Sequence, residues 1–446
     1  MRLIVTALPD YVVFDRAIEK LPRDELRVLQ SERLRVMVRY AYERAPFWRR
    51  KFDAAHLTPD AIGGLEDLHR IPFCSKEELQ ADQEAHPPFG SYLASDPRGL
   101  VRFTTTSGTT GRPLRRVFSA RDWGYVLDRL QRNSPIGAGD IVVTLGPVDG
   151  LMGPTASVEA HARAGAMIVL AGLYDSITKV RLIAELRPTI VSGAASYLLH
   201  LIDIARADGI DLASLNIRTV ISVGEPGAAI PATHQRLTAG WGTFVRDGYG
   251  LTELFPLGGG CPQSAALHIA SDLVITEVID PSTSEPVPPG APGEVVYTNI
   301  VGDTQPLLRY RTRDIARLSA EPACACGFTG ARLAHAIEGR VDDMVWVRGV
   351  NVFPSAIEAV IRGFNELADE YEIVVDEQAA LSALTIRVEL KPDQPDGTDL
   401  NDRVRRAIAT AVRVSTELEV LPFGTLPRAE ARAKKRRVRQ ASQRAS

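Results

Sequence analysis

The densest run of hydroxyl and glycine residues in the chain is residues 104–113, which reads TTTSGTTGRP. Glycines let the backbone approach an anion closely, so successive N–H groups can point into one concavity. The threonine and serine hydroxyls add donors, and Arg112 adds a fixed positive charge. These residue types suit the phosphates of a nucleotide, although similar stretches also form ordinary surface loops. The loop is not a Walker A loop, because the spacing Gly-x4-Gly-Lys-Ser/Thr is absent.

A second segment, residues 247–253, reads DGYGLTE and combines a ring, a hydroxyl and a carboxylate. The ring of Tyr249 could stack on a base, the hydroxyl of Thr252 could bond a phosphate, and Glu253 could hold Mg²⁺ opposite that phosphate. The alternative is a strand end followed by a turn.

A third segment, residues 308–314, reads LRYRTRD and enters a strand. Its single acid, Asp314, follows three arginines and should therefore stay ionised, and a carboxylate can accept both hydroxyls of a ribose. A surface cluster of ion pairs is the alternative. A fourth segment, residues 338–354, is a charged Gly/Asp turn, a strand, a glycine turn and Pro354 near a helix start.

Length and composition exclude several classes of protein. With 446 residues, two or three domains are expected, and 45% hydrophobic with 24% charged residues is ordinary for a globular protein. A net charge of −3 argues against a general nucleic-acid binder. There is no run of 18 apolar residues and no signal-peptide pattern, so we expect no membrane span. Four cysteines do not make a disulfide framework, and we therefore expect a cytoplasmic protein. Both a monomer and a homodimer stay open.

The elements that must position these segments follow an α/β pattern. Helical spacing of apolar residues predicts a helix over residues 24–53. Short apolar runs alternate with Gly/Pro breaks over 142–170, and 189–192 and 219–223 are buried-strand candidates, each followed by a helix-like or turn segment. This rhythm indicates parallel strands.

After residue 274 the pattern changes to short strands, at 274–279, 294–297 and 315–318, which predicts a β-rich subdomain. A small α+β unit follows residue 339, with strands at 344–347, 372–376 and 383–390 and helices at 354–362 and 399–417. We therefore predict two domains, residues 1–338 and 339–446. The basic tail, residues 428–446, has little apolar content and is interpreted as mobile or as a solvated surface.

In this order the four segments resemble the core motifs of the acyl- and aryl-adenylating superfamily. They are most similar to the phenylacetate-CoA ligase branch, whose members carry Tyr-Arg-Thr-Arg-Asp and Arg-Gly-Val-Asn-Val-Phe-Pro, as residues 310–314 and 348–354 do here. The resemblance covers nearly the whole chain and includes 41–47 and 72–79. It implies a large N-terminal adenylating domain, built from α/β subdomains and a β-rich subdomain, and a small mobile α+β C-terminal domain.

The resemblance implies ATP-dependent activation of a carboxylic acid to its adenylate, followed by transfer of the acyl group to coenzyme A. It places Thr252 at the α-phosphate and Glu253 on Mg²⁺, makes Asp342 the hinge of the small domain, and puts Arg348 and Gly349 near the coenzyme A path. It assigns the remaining nucleotide contacts to Thr106, Ser107, Gly108, Thr109, Thr110 and Gly111 at the phosphates, to Gly224, Glu225, Pro226 and Tyr249 at the adenine, and to Asp314 and Arg340 at the ribose.

The C-terminal segment departs from the branch. Relatives commonly carry Gly-Lys where this chain has Ala431 and Arg432, and that lysine bridges the carboxylate and the α-phosphate. The wide planar guanidinium is no simple replacement for an ammonium. Either Arg432 itself or Lys434 or Lys435 could supply the cation. Two alternatives to the coenzyme A ligase therefore stay open: transfer to another acceptor (a carrier-protein thiol, or a hydroxyl or amine), or a catalytically weak relative that binds adenylate.

Small residues mark the candidate pocket for the acid, which suits a flat ring better than a long acyl chain. We expect an aryl acid of the benzoate, hydroxybenzoate or aminobenzoate type. The same small residues could instead allow close helix–strand packing. The candidate lining is Gly146, His161, Ser192, Gly193, Ala194 and Tyr197.

Three cysteines and a histidine form a candidate metal site. Cys324 and Cys326 make a tight Cys-x-Cys turn followed by a glycine, and Cys261 and His268 lie close together earlier in the chain. Three thiolates and one imidazole would complete a closed tetrahedral zinc site, which would be structural because no position is open. Some members of the branch carry a Cys/His zinc site in this region. The alternative is three independent cysteines, and Cys74 is expected to be a small buried residue.

Overall fold

The computed structural model describes residues 16–106, 113–133, 136–148, 150–225, 228, 230–343, 345–347, 350–376, 383–392, 394, 398–427 and 438–440. The α-helices are α1 (Arg23–Arg44), α2 (Pro46–Ala54), α3 (Lys76–Ala85), α4 (Ala120–Asn133), α5 (Met152–Arg163), α6 (Ser176–Leu186), α7 (Ala195–Ala207), α8 (Pro231–Trp241), α9 (Pro354–Arg362) and α10 (Thr398–Val412).

The strands are β1 (Leu100–Thr105), β2 (Arg115–Ser119), β3 (Ile141–Thr144), β4 (Met167–Leu170), β5 (Ile190–Gly193), β6 (Thr219–Val223), β7 (Val245–Gly250), β8 (Pro256–Cys261), β9 (Ser264–Ile269), β10 (Val274–Ile279), β11 (Gly293–Asn299), β12 (Tyr310–Ala316), β13 (Arg332–Leu333), β14 (Gly339–Arg340), β15 (Val345–Val347), β16 (Val350–Val352), β17 (Leu367–Asp376), β18 (Ala383–Leu390), β19 (Glu417–Leu421) and β20 (Val438–Gln440). The predicted α/β class is confirmed.

The chain divides into two compact units, Met1–Leu170 with Gly248–Ala334, and Ala171–Asp247 with His335–Ser446. The predicted boundary between residues 338 and 339 stays a prediction. Within the described residues, no helix is both long enough and apolar enough to cross a membrane.

The first unit holds the elements that carry most of the predicted nucleotide motifs. β1 and β2 form an antiparallel hairpin in which Thr104 lies opposite Arg116, so the strands flank the phosphate loop. β3 and β4 are parallel and joined through α5, as expected for a βαβ unit. The end of β7 pairs antiparallel with β8, β8 with β9, and β9 with β13. The predicted β-rich region is the antiparallel set β10–β11–β12.

The second unit combines a parallel pair with a small α+β layer. β5 and β6 are parallel and each is followed by a helix, α7 and α8. Further along, β17 pairs antiparallel with β18, while β19 and β20 add parallel strands on either side. Apolar faces of α9 and α10 pack on this sheet, with Ile357 and Ile361 from α9 and Val404 and Ile408 from α10 in one buried cluster. Spacings of three and four residues put such pairs on one face of a helix.

Some predicted boundaries are confirmed and others are wrong for identifiable reasons. The predicted elements at 219–223, 274–279, 354–362 and 383–390 match the observed bounds. The helix predicted over 24–53 is two helices, because Ala45 is extended, with φ −112° and ψ 105°, before Pro46. A residue preceding proline is driven out of the helical region by the proline ring.

Later predictions also misplaced element ends, and the strand predicted at 372–376 begins at Leu367. The strand predicted at 315–318 runs over Tyr310–Ala316, because Arg311 and Arg313 occupy alternate half-buried positions and leave the other face to buried residues. The helix predicted to residue 417 ends at Val412, where Arg413 adopts φ +57°, and residue 417 starts β19. The tail predicted to be mobile or solvated contains β20, because Val438 to Gln440 pair with β17; residues 428–437 and 441–446 lie outside the described residues.

Candidate active site and metal-ligand cluster

The ribose candidate Asp314 meets the adenine candidate Tyr249 directly. The Tyr249 hydroxyl donates to Asp314 Oδ2 at 2.8 Å, and its ring lies 6.4 Å from the ring of Tyr297. Burial and then the Asp314 charge raise the pKa of Tyr249 well above its usual value, so the hydroxyl stays a donor. The Asp314 carboxylate is 5% exposed. A buried carboxylate oriented by a hydroxyl suits the recognition of a diol.

Local backbone geometry positions this pair. Tyr249 is the second-to-last residue of β7, which carries an irregularity before Gly250, and Asp314 lies near the end of β12. A Cβ atom at Gly250 would lie 2.9 Å from the Cα of Pro256, so this close turn requires glycine. The Thr312 hydroxyl accepts the Asp314 backbone N–H at 3.0 Å, which fixes the acid's backbone.

The magnesium candidate Glu253 lies in the turn between β7 and β8, with the half-buried Thr252 before it. Glu253 is buried, and its Oε1 lies 3.6 Å from the ammonium of Lys76 at the start of α3. The nearby charge of Glu253 and burial raise the pKa of the Tyr310 hydroxyl, burial being the larger cause. A carboxylate oxygen is a hard ligand, the type that Mg²⁺ takes.

Arg116 lies on β2 of the β1–β2 hairpin, and its guanidinium interacts electrostatically with Glu253. Its guanidinium is buried, donates from Nη2 to the Gln305 carbonyl at 2.9 Å, and lies 5.9 Å from the centre of the Tyr92 ring. Burial lowers its pKa, and the charges of Tyr92 and Glu253 oppose that effect. Neither Arg116 nor Lys76 was predicted as a site residue from the sequence, although Lys76 belongs to the segment 72–79. The available signal for Arg116 was its alternation with Leu114 and Phe118, which places it on the same face of a strand as these two apolar residues.

The three arginines before Asp314 each have their own acid. Arg309 pairs with Glu277 at 2.9 Å, Arg311 with Glu294 at 2.5 Å, and Arg313 with Glu77 at 3.2 Å. The Arg309 guanidinium also lies 3.8 Å above the centre of the Phe73 ring. The predicted surface ion-pair alternative describes Arg313 and Glu77, whose side chains are exposed, but not Arg309, which is 4% exposed.

The phosphate loop is described only at its ends. Thr106 is buried, and its backbone N–H and hydroxyl oxygen bond the carbonyl and N–H of Leu114 at 3.0 Å each, which closes the base of the loop. The loop residues Ser107, Gly108, Thr109, Thr110, Gly111 and Arg112 lie outside the described residues. So do Pro226, Arg348, Gly349, Arg432, Lys434 and Lys435.

The remaining nucleotide and hinge candidates belong to the second unit. Gly224 has φ +94°, which favours glycine, and Glu225 accepts the Ser196 backbone N–H through Oε1 at 2.6 Å. Arg340, the last residue of β14, forms an ion pair at 3.1 Å with Asp342, which follows that strand. Both side chains are about one-third exposed.

The acid-pocket candidates divide between the units. In the first, Gly146 follows β3 and His161 lies on α5, 4% exposed, where burial lowers its pKa to about 4. A histidine with that pKa is neutral at pH 7. In the second, Ser192 and Gly193 end β5 and Ala194 precedes α7.

Tyr197, the last pocket candidate, is buried on the first turn of α7. Its hydroxyl lies 3.1 Å from Ser176 Oγ and accepts from Lys179 Nζ at 3.1 Å. The sequence analysis did not single out Lys179. A lysine among the apolar positions of α6 was the signal.

The predicted metal ligands are brought together. Ligand atoms of Cys261, His268, Cys324 and Cys326 all lie within 4.8 Å of one another. A tetrahedral zinc site with Zn–S bonds of about 2.3 Å has ligand atoms about 3.8 Å apart, so the cluster fits such an ion after small side-chain adjustments. The alternative of three independent cysteines is wrong in its geometry, because the thiols are neighbours.

Backbone pairing explains why four residues from distant segments meet. Cys261 ends β8, and His268 on the adjacent β9 pairs with Arg332 of β13. The loop before β13 turns at Gly327, with φ +90°, and the Gly327 N–H donates to the Cys324 carbonyl at 2.8 Å. The β8–β9 hairpin and the Cys-x-Cys loop thus converge. Cys74 is fully buried elsewhere, as predicted.

Comparison with known proteins defines the class. The family model described as "AMP-binding enzyme" matches residues 27–300, and "AMP-binding enzyme C-terminal domain" matches residues 349–440. The chain belongs to the AMP-binding enzyme family. The predicted resemblance is confirmed, and with it the fold: a large N-terminal adenylating domain and a small C-terminal domain.

Several relatives align over almost the whole chain. A phenylacetate-coenzyme A ligase of Thermus thermophilus is 33% identical, with 94% of this chain and 97% of the relative covered. Those of Aromatoleum evansii and Escherichia coli are 34% and 31% identical, covering 91% and 93% of this chain and 92% and 95% of the relatives.

Solved structures of 2-hydroxyisobutyryl-CoA ligase are also similar. The structure in the postadenylation state with 2-HIB-AMP is 29% identical, with a TM-score of 0.88 and coverage of 95% of this chain and 91% of that one. The structure with 2-HIB-AMP and CoA in the thioesterification state, at the same identity and coverage, has a TM-score of 0.70.

Proposed function

We propose that this enzyme activates a carboxylic acid with ATP and passes the acyl group to coenzyme A. The observation that carries the proposal is the joining of three separate motifs within one unit. Tyr249 is hydrogen-bonded to Asp314, and Arg116, opposite Thr104 at the base of the phosphate loop, interacts electrostatically with Glu253. The names of the similar ligases, from Thermus thermophilus to Escherichia coli, support the same reaction.

The reaction has two displacements. In the first, a carboxylate oxygen of the acid bonds to the α-phosphorus of ATP while the bond to pyrophosphate breaks. In the second, the coenzyme A thiol, losing its proton, bonds to the acyl carbon and AMP leaves. Positioning and neutralisation of phosphate charge dominate the catalysis of the first step.

Each candidate residue has a stated part in this proposal. Asp314, oriented by Tyr249, holds the ribose, with Arg340 assisting. Thr252 contacts the α-phosphate, and Glu253 fits as a ligand of Mg²⁺, which supplies charge neutralisation when bound. Around the adenine we propose Gly224, Glu225 and Pro226, along the coenzyme A path Arg348 and Gly349, and between the carboxylate and the α-phosphate one of the cations Arg432, Lys434 or Lys435.

The finer proposal concerns the acid. The small residues Gly146, Gly193 and Ala194 are the sequence feature that favours a flat ring, and a neutral, buried His161 would offer a hydrogen bond rather than a charge. We therefore propose an aryl acid, of the benzoate type or of the arylacetate type that the similar ligases are named for. The 2-hydroxyisobutyrate of the solved neighbour is the aliphatic comparison.

Pyrophosphate release tests the reaction and the acid together. Purified enzyme with ATP and Mg²⁺ is given benzoate, 2-aminobenzoate, 4-hydroxybenzoate, phenylacetate or 2-hydroxyisobutyrate, each with and without coenzyme A. We expect release with at least one aryl acid, multiple turnovers with coenzyme A, and about one turnover without it. A turnover rate that is unchanged by coenzyme A but increased by hydroxylamine would favour another acceptor. No pyrophosphate release with any acid would contradict the proposal.

We also propose that Cys261, His268, Cys324 and Cys326 hold one structural zinc ion. Three thiolates and an imidazole match the donors of closed zinc sites, and four protein ligands would fill the four positions of a tetrahedral ion. An ion there would tie the β8–β9 hairpin to the loop before β13, and so the segment that follows Tyr249 and Glu253.

Metal content and stability test the zinc site. We expect about one zinc per chain, and we expect Cys324→Ser to lower both the zinc content and the melting temperature, because binding energy at such a site is folding energy. Atomic emission spectroscopy and thermal unfolding with and without a chelator measure this. The control is Cys74→Ser, a buried thiol outside the cluster, which should keep the zinc. Metal-free protein whose stability a chelator and added zinc leave unchanged would contradict the site.

A further inference from the structure

Lys179, in the second unit, is buried although its side chain ends in an ammonium group. Lys179, on α6, has 1% of its surface exposed, whereas lysines are almost never fully buried unless paired with an acid. Its polar partner is a neutral hydroxyl: Nζ donates to Tyr197 at 3.1 Å and lies 4.7 Å from the centre of that ring. No carboxylate of the described residues forms an ion pair with it. An ammonium has three N–H donors and carries a charge that burial penalises, so the site favours another oxygen acceptor.

The surroundings of Lys179 place it where ligands bind in α/β proteins. The parallel strands β5 and β6 end at Gly193 and Val223, and the segments that follow them are joined by the Ser196–Glu225 hydrogen bond of 2.6 Å. Tyr197, which holds Lys179, is the next residue after Ser196. Ligands of open parallel sheets bind outside the carboxyl ends of the strands.

Two helix N-termini lie at this edge, and a carboxylate occupies each of them: that of Asp175 at α6 and that of Glu225 at α7. Ser176, hydrogen-bonded to Tyr197 and only half-buried, begins α6, and α7 begins at Ala195 after Ala194, whose side chain has no acceptor to cap it. The acids here are engaged with backbone amides: Asp175 accepts from Thr178, and Glu225 from Ser196. Asp175 also feels the charge of Lys179, which contributes to lowering its pKa after its bonds to Thr178.

We propose that Lys179, hydrogen-bonded to Tyr197, is a specificity-determining residue that binds an oxygen substituent of the acid substrate. The substrate class is an aryl acid with an acceptor remote from the reacting carboxylate: a ring hydroxyl or a second carboxylate. The charged acceptor is preferred because it compensates the ammonium. This inference rests on the proposed function, and it adds a residue and a substituent that the small-residue pattern did not supply.

Three acids separate the possibilities: phenylacetate, 4-hydroxyphenylacetate and 4-carboxyphenylacetate. For each, kcat/KM for pyrophosphate release and the Kd of the acid alone, by calorimetry, are measured in the wild type, Lys179→Met, Tyr197→Phe and the control Lys51→Met. Methionine keeps most of the volume of lysine without its charge. Lys51 is a mostly buried lysine that pairs with Glu78 in the other unit.

We expect kcat/KM of the wild type to increase from phenylacetate to 4-hydroxyphenylacetate and again to 4-carboxyphenylacetate. Lys179→Met should lower kcat/KM for 4-carboxyphenylacetate at least ten-fold more than for phenylacetate, whereas Lys51→Met should change both alike. Tyr197→Phe should keep the preference, because the ammonium remains. A purely structural Lys179 would lower stability but leave the ratio between the acids unchanged, and that result would overturn the inference.

The calorimetric arm separates this inference from the proposed function. If Lys179→Met releases pyrophosphate with the same ratio of kcat/KM values between the acids as the wild type, only the assignment of Lys179 is overturned. Absence of release in the wild type overturns the reaction, while the Kd ratios still decide the assignment. If Lys179→Met does not fold, the wild type decides: equal Kd values for the three acids, or no binding of any, overturn the inference.

Discussion

Asp314 and Tyr249 form the best-defined polar pair of the candidate nucleotide site. Asp314→Ala removes a carboxylate that would make two charge-assisted hydrogen bonds to the ribose, each worth about 1.5–3 kcal/mol. We expect ATP affinity, measured by calorimetry, to fall at least ten-fold and pyrophosphate release to be largely lost. Tyr249→Phe is the matched control, because it removes only the orienting hydroxyl and keeps the ring; its loss should be smaller. Near-normal ATP affinity in Asp314→Ala would remove Asp314 from the site.

His161 makes a separate prediction about pH. Its pKa is about 4 in the folded chain because of burial, against an ordinary value of 6.5. Between these values the unfolded chain binds the proton and the folded chain does not, so stability is full above pH 6.5 and falls as the pH drops towards 4. From pH 7 to pH 4.5 the wild type should lose about 2 kcal/mol more than His161→Gln, since one pKa unit corresponds to about 1.4 kcal/mol. Urea unfolding at both pH values measures this, and equal losses would contradict it.

At the scale of elements, a shared acid joins α8, α9 and β17. Asp369 on β17 accepts from Arg362 of α9 and from both terminal nitrogens of Arg236 of α8, one of them at 3.1 Å. Arg362 also reaches Glu358 at 3.3 Å. Burial acts to raise the pKa of Asp369, but the two arginines outweigh it and the pKa is lowered. The acid therefore remains charged and needs a partner.

The two arginines should differ in their effect on stability. The Arg362 side chain is 1% exposed, so Arg362→Met leaves two acids without their buried cation and should cost about 3 kcal/mol or more. Arg236 is 26% exposed and its loss leaves Asp369 paired with Arg362, so Arg236→Met should cost about 1 kcal/mol or less. Chemical unfolding of the matched pair measures the difference. A larger loss in Arg236→Met would mean that α8, not α9, supplies the main partner.

At the scale of the whole molecule, the prediction concerns Asp342, our proposed hinge. Asp342 lies in a short 3₁₀ helix, Val341–Asp343, and pairs with Arg340 at 3.1 Å. Asp342→Pro fixes φ near −65° and should separate the two half-reactions, one falling much more than the other. Pyrophosphate release and acyl transfer from prepared adenylate are measured separately. Asp342→Ala, which breaks the ion pair but keeps the backbone free, is the control.

Equal loss of both half-reactions in a folded Asp342→Pro variant would place the pivot elsewhere. The similar 2-hydroxyisobutyryl-CoA ligase has been solved in a postadenylation and in a thioesterification state, and the hinge proposal extends these two states to the present chain. A protein that visits two arrangements must contain residues that absorb the change in backbone angles.

Local patterns in the sequence were sufficient for the elements whose signals are local. The strand Thr219–Val223 and the helix Pro354–Arg362 match their predicted bounds, because an apolar run between breakers and a proline at a helix start act within a few residues. The motif order was sufficient for the family, and the Cys/His spacing for a cluster whose atoms do meet.

Only the tertiary structure decided which side chains share a site. Each arginine before Asp314 was paired with a glutamate from another segment, and Asp314 itself with Tyr249, through contacts between residues far apart in the chain. The burial of Lys179 and Arg116 could not be predicted either, because a sequence gives a residue's charge but not whether folding removes that residue from water. Charge and hydrogen-bonding type are local properties of a residue, whereas partner, burial and pKa arise from packing.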